Sequence, residues 1–204
     1  MSTLPVSGDD LARDRFRQVM GRFATGVTVL SGGGPHAHGM TANAFTSVSL
    51  DPPLVLACVT RTARLNTCIE DTGSFGVSIL ADDQEPVARY FARSGRPVGM
   101  AQFDLFGWHR GPRSGTPLLA GALAWLECEV VDTIPGGDHH VYLGRVLSCD
   151  CGPGTKPLAF FSGGYAALSR PTGAARPVVL PVRGSRVGDI IDDLPAGGLV
   201  ARTV

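Results

Sequence analysis

The chain has 204 residues, and its 18 lysines and arginines balance 18 aspartates and glutamates, so the formal net charge is zero. This length predicts one domain with appendages, and the neutral charge disfavours binding to nucleic acid or to an anionic membrane surface. No apolar run approaches the roughly 20 residues that span a bilayer, and the polar N-terminal segment is unlike a signal peptide. We therefore expect a cytoplasmic protein.

The first half of the chain predicts one amphipathic helix followed by short strands. Apolar residues at helical spacing follow a capping Asp9 or Asp10, and they are Phe16, Val19, Met20 and Phe23. Residues 27–30 and 38–50 predict the two strands of a hairpin around a Gly-rich turn at 32–35. Further strands are predicted at 54–59 and 74–80, with a short helix at 64–71 between them.

The second half predicts one more helix and the longest strands. Acids and a proline at 82–86 open the helix, and Glu85 is spaced to pair with Arg89 four residues later. Residues 94–120 are rich in Gly, Pro and Arg and predict a long surface excursion. Alternation over 124–131 predicts a half-exposed strand with Glu127 on its polar side, and a turn at 135–138 leads into a strand at 139–147.

Many short strands with two or three helices predict a mainly β fold, a small antiparallel barrel with helices packed outside. We divide the chain into an N-terminal lead at 1–10, a barrel domain at 11–170 and a C-terminal extension at 171–204. The five cysteines are scattered, and Cys149 and Cys151 alone lie close together. They could form half of a metal site, but no second pair completes it, so we expect reduced cysteines and no metal.

The run from Gly39 to Pro53 has the sequence GMTANAFTSVSLDPP, with small polar residues where a buried strand would carry bulky apolar ones. Either a flat, hydrogen-bonding ligand lies against this strand, or it is a hydroxyl-rich edge strand that faces water. Residues 58–66 follow a strand and precede a helix, a position at which backbone N–H groups can hold a phosphate.

Three segments together resemble the flavin reductase-like family: the run at 40–53, the Gly-Asp-His segment at 136–146, and the segment 157–165 with its Ser-Gly-Gly-Tyr. The resemblance covers about residues 12–168 in the family's order. Members of that family are short-chain NAD(P)H:flavin oxidoreductases with an FMN-binding split barrel. The resemblance therefore implies a split β-barrel, a hydride transfer from NADH or NADPH, and FMN or FAD as the acceptor.

The resemblance also implies which residues contact the flavin. The ring and ribityl chain would lie against Thr41, Ala42, Asn43, Ser47, Val48 and Ser49. The phosphate would be held by Thr60, Thr62, Arg64 and Asn66, whereas Arg61 is expected to be a solvated charge. Phe91 is a further implied contact. The chain departs from the family at Ala63 and Leu65, where members often carry hydroxyl residues.

On the nicotinamide side, the resemblance implies His139 as the catalytic residue, with Gly163 and Tyr165 as further contacts. A histidine that titrates near neutrality can orient the nicotinamide or stabilise developing charge on the flavin. A lone histidine at a strand end is more often structural, and the Gly-Asp-His context reverses that expectation. The chain has no Gly-x-Gly-x-x-Gly fingerprint, so the nicotinamide would bind over the flavin in a shared cleft.

Family members commonly hand reduced flavin to a separate monooxygenase by diffusion, and they resemble obligate dimers. The resemblance thus implies a homodimer, to which the apolar segments 178–182 and 187–191 of the tail would contribute a covering surface. Two other functions remain open at this point. One is a flavoprotein that keeps its flavin and acts on another substrate, and the other is a non-catalytic flavin-binding module.

Overall fold

The structure is a computed structural model that describes residues 10–168. Within that range the helices are α1 (Asp10–Met20), α2 (Leu65–Thr72) and α3 (Glu85–Ala92). The strands are β1 (Thr25–Gly26), β2 (Thr28–Gly32), β3 (His38–Ala42), β4 (Phe45–Leu50), β5 (Pro53–Thr60), β6 (Ser74–Ile79), β7 (Trp108–Arg110), β8 (Pro117–Leu119), β9 (Ala124–Gly136), β10 (His139–Cys151), β11 (Leu158–Phe161) and β12 (Gly164–Ala167). The predicted N-terminal lead and the C-terminal extension, with its apolar segments, lie outside the described residues.

The main sheet contains seven antiparallel strands in the order β3-β2-β6-β9-β10-β5-β4. Its two outer strands, β3 and β4, are consecutive in the chain and are joined by Asn43 and Ala44 alone. So short a connection brings both edges of the sheet to one corner, which curls the sheet into a barrel. The predicted mainly β barrel is therefore confirmed.

The predicted hairpin strand at 38–50 is wrong in one respect, because the chain changes partner in its middle. β3 pairs with β2, whereas β4 pairs with β5, and the Cys58 N–H donates to the Ala44 carbonyl oxygen at 2.9 Å where the new pairing begins. The small polar run therefore spans a corner of the barrel and does not form one continuous strand.

The core is divided into two clusters that lie on different sides of the barrel strands. One is built around Phe75, Tyr142 and Leu65, which brings α2 against the sheet. The other, around Phe91 and Phe103, joins α3 to the segment after it. Each fully buried side chain of this size contributes about 1.5–3 kcal/mol of hydrophobic stabilisation.

Residues 94–120 were predicted as a surface excursion, and the structure contradicts this for several of them. Phe103 is fully buried, and the buried Gln102 side chain bonds to the backbone of Gly39, Ala37 and Gly99. The segment closes one side of the core. Its apolar side chains recur too irregularly to show a helical or strand period, so their burial could not be predicted from the sequence.

Glu127 was predicted on the exposed side of β9, and the structure buries it. Its carboxylate accepts hydrogen bonds from the backbone N–H groups of Arg113 and Ser114 and from the hydroxyls of Ser114 and Ser148. Burial without these donors would be costly. The carboxylate therefore fixes the loop that connects β7 and β8.

The apolar side chains of α1 have the predicted helical spacing, but nothing within residues 10–168 covers them. Phe16, Val19 and the following Phe23 are 59%, 61% and 68% exposed. No helix in the described part of the chain combines the length and apolarity needed to cross a membrane.

Candidate functional site

The predicted flavin contacts Thr41, Ala42 and Asn43 lie at the barrel corner. The Thr41 hydroxyl donates a 2.7 Å hydrogen bond to the Ala88 carbonyl oxygen and thereby holds α3 against β3. Ala42 is buried and Asn43 is exposed. The Asn43 side chain is therefore the part of this group that is open to a ligand, while Thr41 positions the neighbouring helix.

Ser47, Val48 and Ser49 lie farther along the outer strand β4. Ser47 pairs with Val55 and Ser49 with Leu54, so Val48 is the additional residue of a β-bulge, and it is 44% exposed. At about 3.3 Å per residue, Ser47 is roughly 13 Å along the chain from Asn43. Residues 41–43 and residues 47–49 can therefore contact different parts of an extended ligand, but they cannot contact the same edge of the flavin ring.

The loop at 60–64 connects β5 to α2 and is supported from inside by Asn66. The Asn66 amide donates to the carbonyl oxygens of Thr60 and Arg61 at 2.9 and 3.1 Å, and its oxygen accepts the buried Tyr142 hydroxyl at 2.9 Å. Asn66 was predicted to contact the phosphate. The structure instead commits its buried amide to the loop, so it is a positioning residue.

The outer side of the same loop presents donors for an anion. Within the described chain, the backbone N–H groups of Thr62 and Arg64 have no hydrogen-bond partner, and Arg64 pairs with no carboxylate. The hydroxyls of Thr60 and Thr62 lie 3.5 Å apart on this side. Free N–H groups, hydroxyls and a guanidinium group in one loop fit the requirements of a flavin phosphate.

The departures from the family at Ala63 and Leu65 have a structural reason. Leu65 is fully buried, and the partly buried Ala63 packs against the same core cluster. Both side chains face the interior, so their lack of hydroxyl groups does not remove a donor from the outer side of the loop.

His139 begins β10 and lies beside Thr60 of β5. Its Nδ1 atom is 2.7 Å from a carboxylate oxygen of Asp138, and its side chain is 42% exposed. The hydrogen bond to His139 and its nearby charge lower the pKa of the Asp138 carboxyl below its usual value. Asp138 therefore orients the ring through one nitrogen and leaves the other nitrogen to face outward.

The backbone also connects His139 to the loop at 60–64, the predicted phosphate site, which we call the phosphate loop. The Asp138 carbonyl oxygen accepts the Arg61 N–H at 2.9 Å, directly at the β9–β10 turn. Since β4, β5 and β10 are neighbours in the sheet, Asn43, Thr60 and His139 come together at one end of three adjacent strands. One residue from each of the predicted contact sets, for the flavin ring, the phosphate and the nicotinamide, therefore lies at this end of the sheet.

Phe91, Gly163 and Tyr165 are not part of this assembly. Phe91 is 1% exposed within the core, so the structure contradicts its predicted contact with the cofactor. Tyr165 lies on β12 in a separate three-stranded sheet, with the Arg89 guanidinium 5.0 Å from its ring centre. Gly163 occupies the β11–β12 turn with φ +81°, and the turn conformation itself accounts for this glycine. A role for Gly163 and Tyr165 stays a prediction.

His38, for which the sequence indicates no functional role, has an unusual environment in the structure. Burial, followed by the charges of Arg96 and Arg64, lowers the pKa of His38 from its usual value to about 4. Its Nε2 atom lies 3.2 Å from the Arg96 guanidinium, which also donates to the Gly39 carbonyl oxygen. Burial and two arginines distant in sequence create this environment, so no local pattern could have indicated it.

All five cysteines are free thiols, and Cys149 and Cys151 are exposed on β10. Residues 10–168 contain no cluster of three or more His, Cys, Asp or Glu side chains that could hold a metal ion.

Comparison with known proteins places this fold and site in a family. The sequence model of the Flavin reductase like domain matches residues 20–169. An NADH-dependent FAD reductase of Streptomyces globisporus is 47% identical over 157 residues, which are 77% of this chain and 86% of that protein.

Two solved structures have the same fold. BorF, the flavin reductase component of a bacterial two-component tryptophan halogenase, is 46% identical with a TM-score of 0.74, covering 78% of this chain and 99% of its own. SgcE6, an NADH:FAD oxidoreductase of Streptomyces globisporus solved with NAD and FAD fragments, is 40% identical with a TM-score of 0.75, covering 84% of this chain and 100% of its own. The prediction of a split barrel is thereby confirmed, and the chain belongs to the flavin reductase like domain family.

Proposed function

We propose that the protein is a flavin reductase that transfers hydride from a reduced nicotinamide to FMN or FAD. The observation that carries this proposal is the assembly of Asn43, the 60–64 loop and His139 at one end of the barrel strands. The names of its relatives support NADH as the hydride donor and FAD as the acceptor.

The chain's residues bind and orient, and the flavin supplies the hydride chemistry when it is bound. Thr60, Thr62 and Arg64 would hold the flavin phosphate through the donors of the loop, while Asn43 would contact the ring. His139, fixed through Asp138, would orient the nicotinamide and face the charge that develops on the flavin. Ser47, Val48 and Ser49 would contact the remaining length of the ligand along β4.

We also propose that reduced flavin leaves this protein for a separate flavin-dependent monooxygenase. The Thermus thermophilus relative, 38% identical over 161 residues, is the reductase component of 4-hydroxyphenylacetate 3-monooxygenase, and this supports a partner of that class.

A homodimer is a further part of the proposal, supported by the uncovered apolar side chains of α1 and by Phe23. The five free thiols support a reducing, cytoplasmic location. For the domain organisation we keep the barrel at 11–170, with short segments on either side.

Steady-state oxidation of NADH and NADPH, each with FMN, FAD and riboflavin, tests the activity. The His139→Ala variant should lose about a hundredfold in kcat while still binding flavin, since a small misplacement of bound reactants can cost on that order. His109→Ala, which changes an exposed histidine on β7, is the matched control. Protein that stays yellow through dialysis and oxidises no reduced nicotinamide when free flavin is added would instead support a bound-flavin protein with another substrate.

A further inference from the structure

A cavity of about 510 Å³ lies beside the loop at 60–64. Its lining includes Pro35, His36, His38, Arg64, Thr67 and Val98. This volume falls within the range of about 300–1,000 Å³ that is usual for small-molecule sites.

One residue belongs both to the phosphate loop and to the wall of the cavity. Arg64 closes the loop at 60–64 and also lines the cavity. A ligand whose first phosphate is held by Thr60, Thr62 and Arg64 would therefore reach the cavity with its next groups. FMN ends at that first phosphate, whereas FAD continues into an adenylate group.

The charge of the cavity wall favours an anion. Its lining contains no carboxylate, and Arg64 and the adjacent Arg96 form no ion pair with any carboxylate of residues 10–168. His38 is neutral at physiological pH, because burial and the two arginines keep its pKa low. The wall thus combines guanidinium charge with a neutral aromatic ring and apolar contacts from Pro35 and Val98.

Hydrogen bonds inside the protein hold the walls of the cavity in place. The buried Gln102 amide donates to both the Ala37 and Gly99 carbonyl oxygens at 2.8 Å, which joins two opposing walls. The Cys68 thiol donates to the His36 carbonyl oxygen at 2.9 Å, which joins the third wall, α2, to the same turn. A cavity held at three sides is preformed, and ligand sites commonly are.

We propose that this cavity binds the adenylate group of a dinucleotide, with FAD as the favoured source. The inference rests on the proposed function for the identity of the ligand and adds to it the residues that distinguish FAD from FMN. NADH carries the same adenylate group, so the test must separate the two dinucleotides.

The test places a carboxylate in the cavity through Thr67→Glu. Thr67 is exposed in the first turn of α2, where a glutamate favours the helix, so the variant should fold. Thr155→Glu adds the same charge at an exposed threonine outside the cavity and serves as the matched control. Val98→Glu introduces the charge from the opposite wall and is the second variant.

Binding is measured without turnover, from the fluorescence change when FAD or FMN is titrated with protein. Wild type should bind FAD more tightly than FMN. Thr67→Glu should raise the Kd for FAD about tenfold, as expected for one added like charge near a protein surface, and should raise the Kd for FMN, which places no group in the cavity, by a smaller factor. Equal affinities for FAD and FMN in wild type, or equal effects of the variants on both flavins, would rule out FAD as the ligand of the cavity.

A second experiment compares the KM for NADH with the KM for reduced nicotinamide mononucleotide, which lacks the adenylate group, in wild type and in the two variants. A rise in KM for NADH alone, with FAD binding unaffected, supports an adenylate site that serves the nicotinamide dinucleotide. If the variants change neither the Kd values of the two flavins nor the KM values of the two nicotinamides, the cavity is not an adenylate site. Because the flavin titration needs no catalysis, its result stands even where nicotinamide oxidation, and with it the proposed function, fails.

Discussion

Asn66→Ala should weaken both the fold and the phosphate loop, because one buried amide supports each. Asn66 donates to the carbonyl oxygens of Thr60 and Arg61 and accepts the hydroxyl of Tyr142. The two carbonyl groups are near the surface and can bond to water after the change, but Tyr142 is 1% exposed and would lose its only described partner.

The expected loss of stability in Asn66→Ala follows from these contacts. A hydrogen bond contributes about 0.5–1.5 kcal/mol net, and a buried group left without a partner costs about 1–3 kcal/mol. We therefore expect Asn66→Ala to lower the free energy of unfolding by about 2–4 kcal/mol. Tyr142→Phe removes one hydrogen bond and should lower the free energy of unfolding by about 1–2 kcal/mol. The double variant should cost less than the sum, since it leaves no orphaned hydroxyl.

Urea unfolding followed by circular dichroism measures the stability of the three variants. Fluorescence titration then compares FMN with riboflavin, which lacks the phosphate. Loss of loop support in Asn66→Ala should raise the Kd for FMN severalfold and leave riboflavin binding nearly unchanged. If Asn66→Ala changes stability by less than about 0.5 kcal/mol, the magnitude of an ordinary surface substitution, the amide does not support the loop. A parallel loss of FMN and riboflavin binding would likewise refute a role specific to the phosphate.

Two further predictions concern the core. Burial alone would raise the pKa of Glu127, but hydrogen bonds from Ser148, Ser114 and Arg113 together outweigh it and lower the pKa. The carboxylate therefore stabilises the fold above its unfolded pKa, and this contribution is lost as the pH falls through the folded value. Unfolding free energies measured between pH 3 and pH 7 should decline less steeply in Glu127→Gln, and an identical slope would contradict this. In Gly39→Ala the added Cβ would lie 2.7 Å from the Phe91 ring, which should cost about 1–3 kcal/mol of stability by overpacking. Gly26→Ala, which meets nothing within 4 Å, is its control in thermal unfolding, and equal Tm values for the two variants would disprove the close contact.

The elements with strong local signals were predictable from the sequence. The charge order of α3 predicted a pair between Glu85 and Arg89, and their side chains lie 2.7 Å apart. The turn at Gly137 and Asp138 predicted that His139 enters its strand directly, as it does. These features depend on neighbours within four residues, which a sequence displays.

Features that depend on distant partners could not be predicted in this way. Residues 38–50 are strand-like throughout, and the change from β2 to β5 as partner leaves no mark on their alternation. Asn66 resembled a ligand contact because it follows a loop that was predicted to bind phosphate, and only Tyr142, 76 positions away, reveals that its amide faces inward. Phe91 belonged to a family segment, but its burial depends on Phe103 and on the absence of a side chain at Gly39.

The two-residue connection between β3 and β4 has a consequence for protein engineering. New chain termini are usually tolerated at exposed, polar loop positions, and Asn43 and Ala44 are both exposed. A circular permutant opened at this bond would nevertheless release both outer strands of the seven-stranded sheet at once. Unprotected outer strands pair readily with other chains, so such a permutant would self-associate. Insertions and fusions are better placed at the β9–β10 or β11–β12 turns, although the first would also displace the Arg61 contact with Asp138.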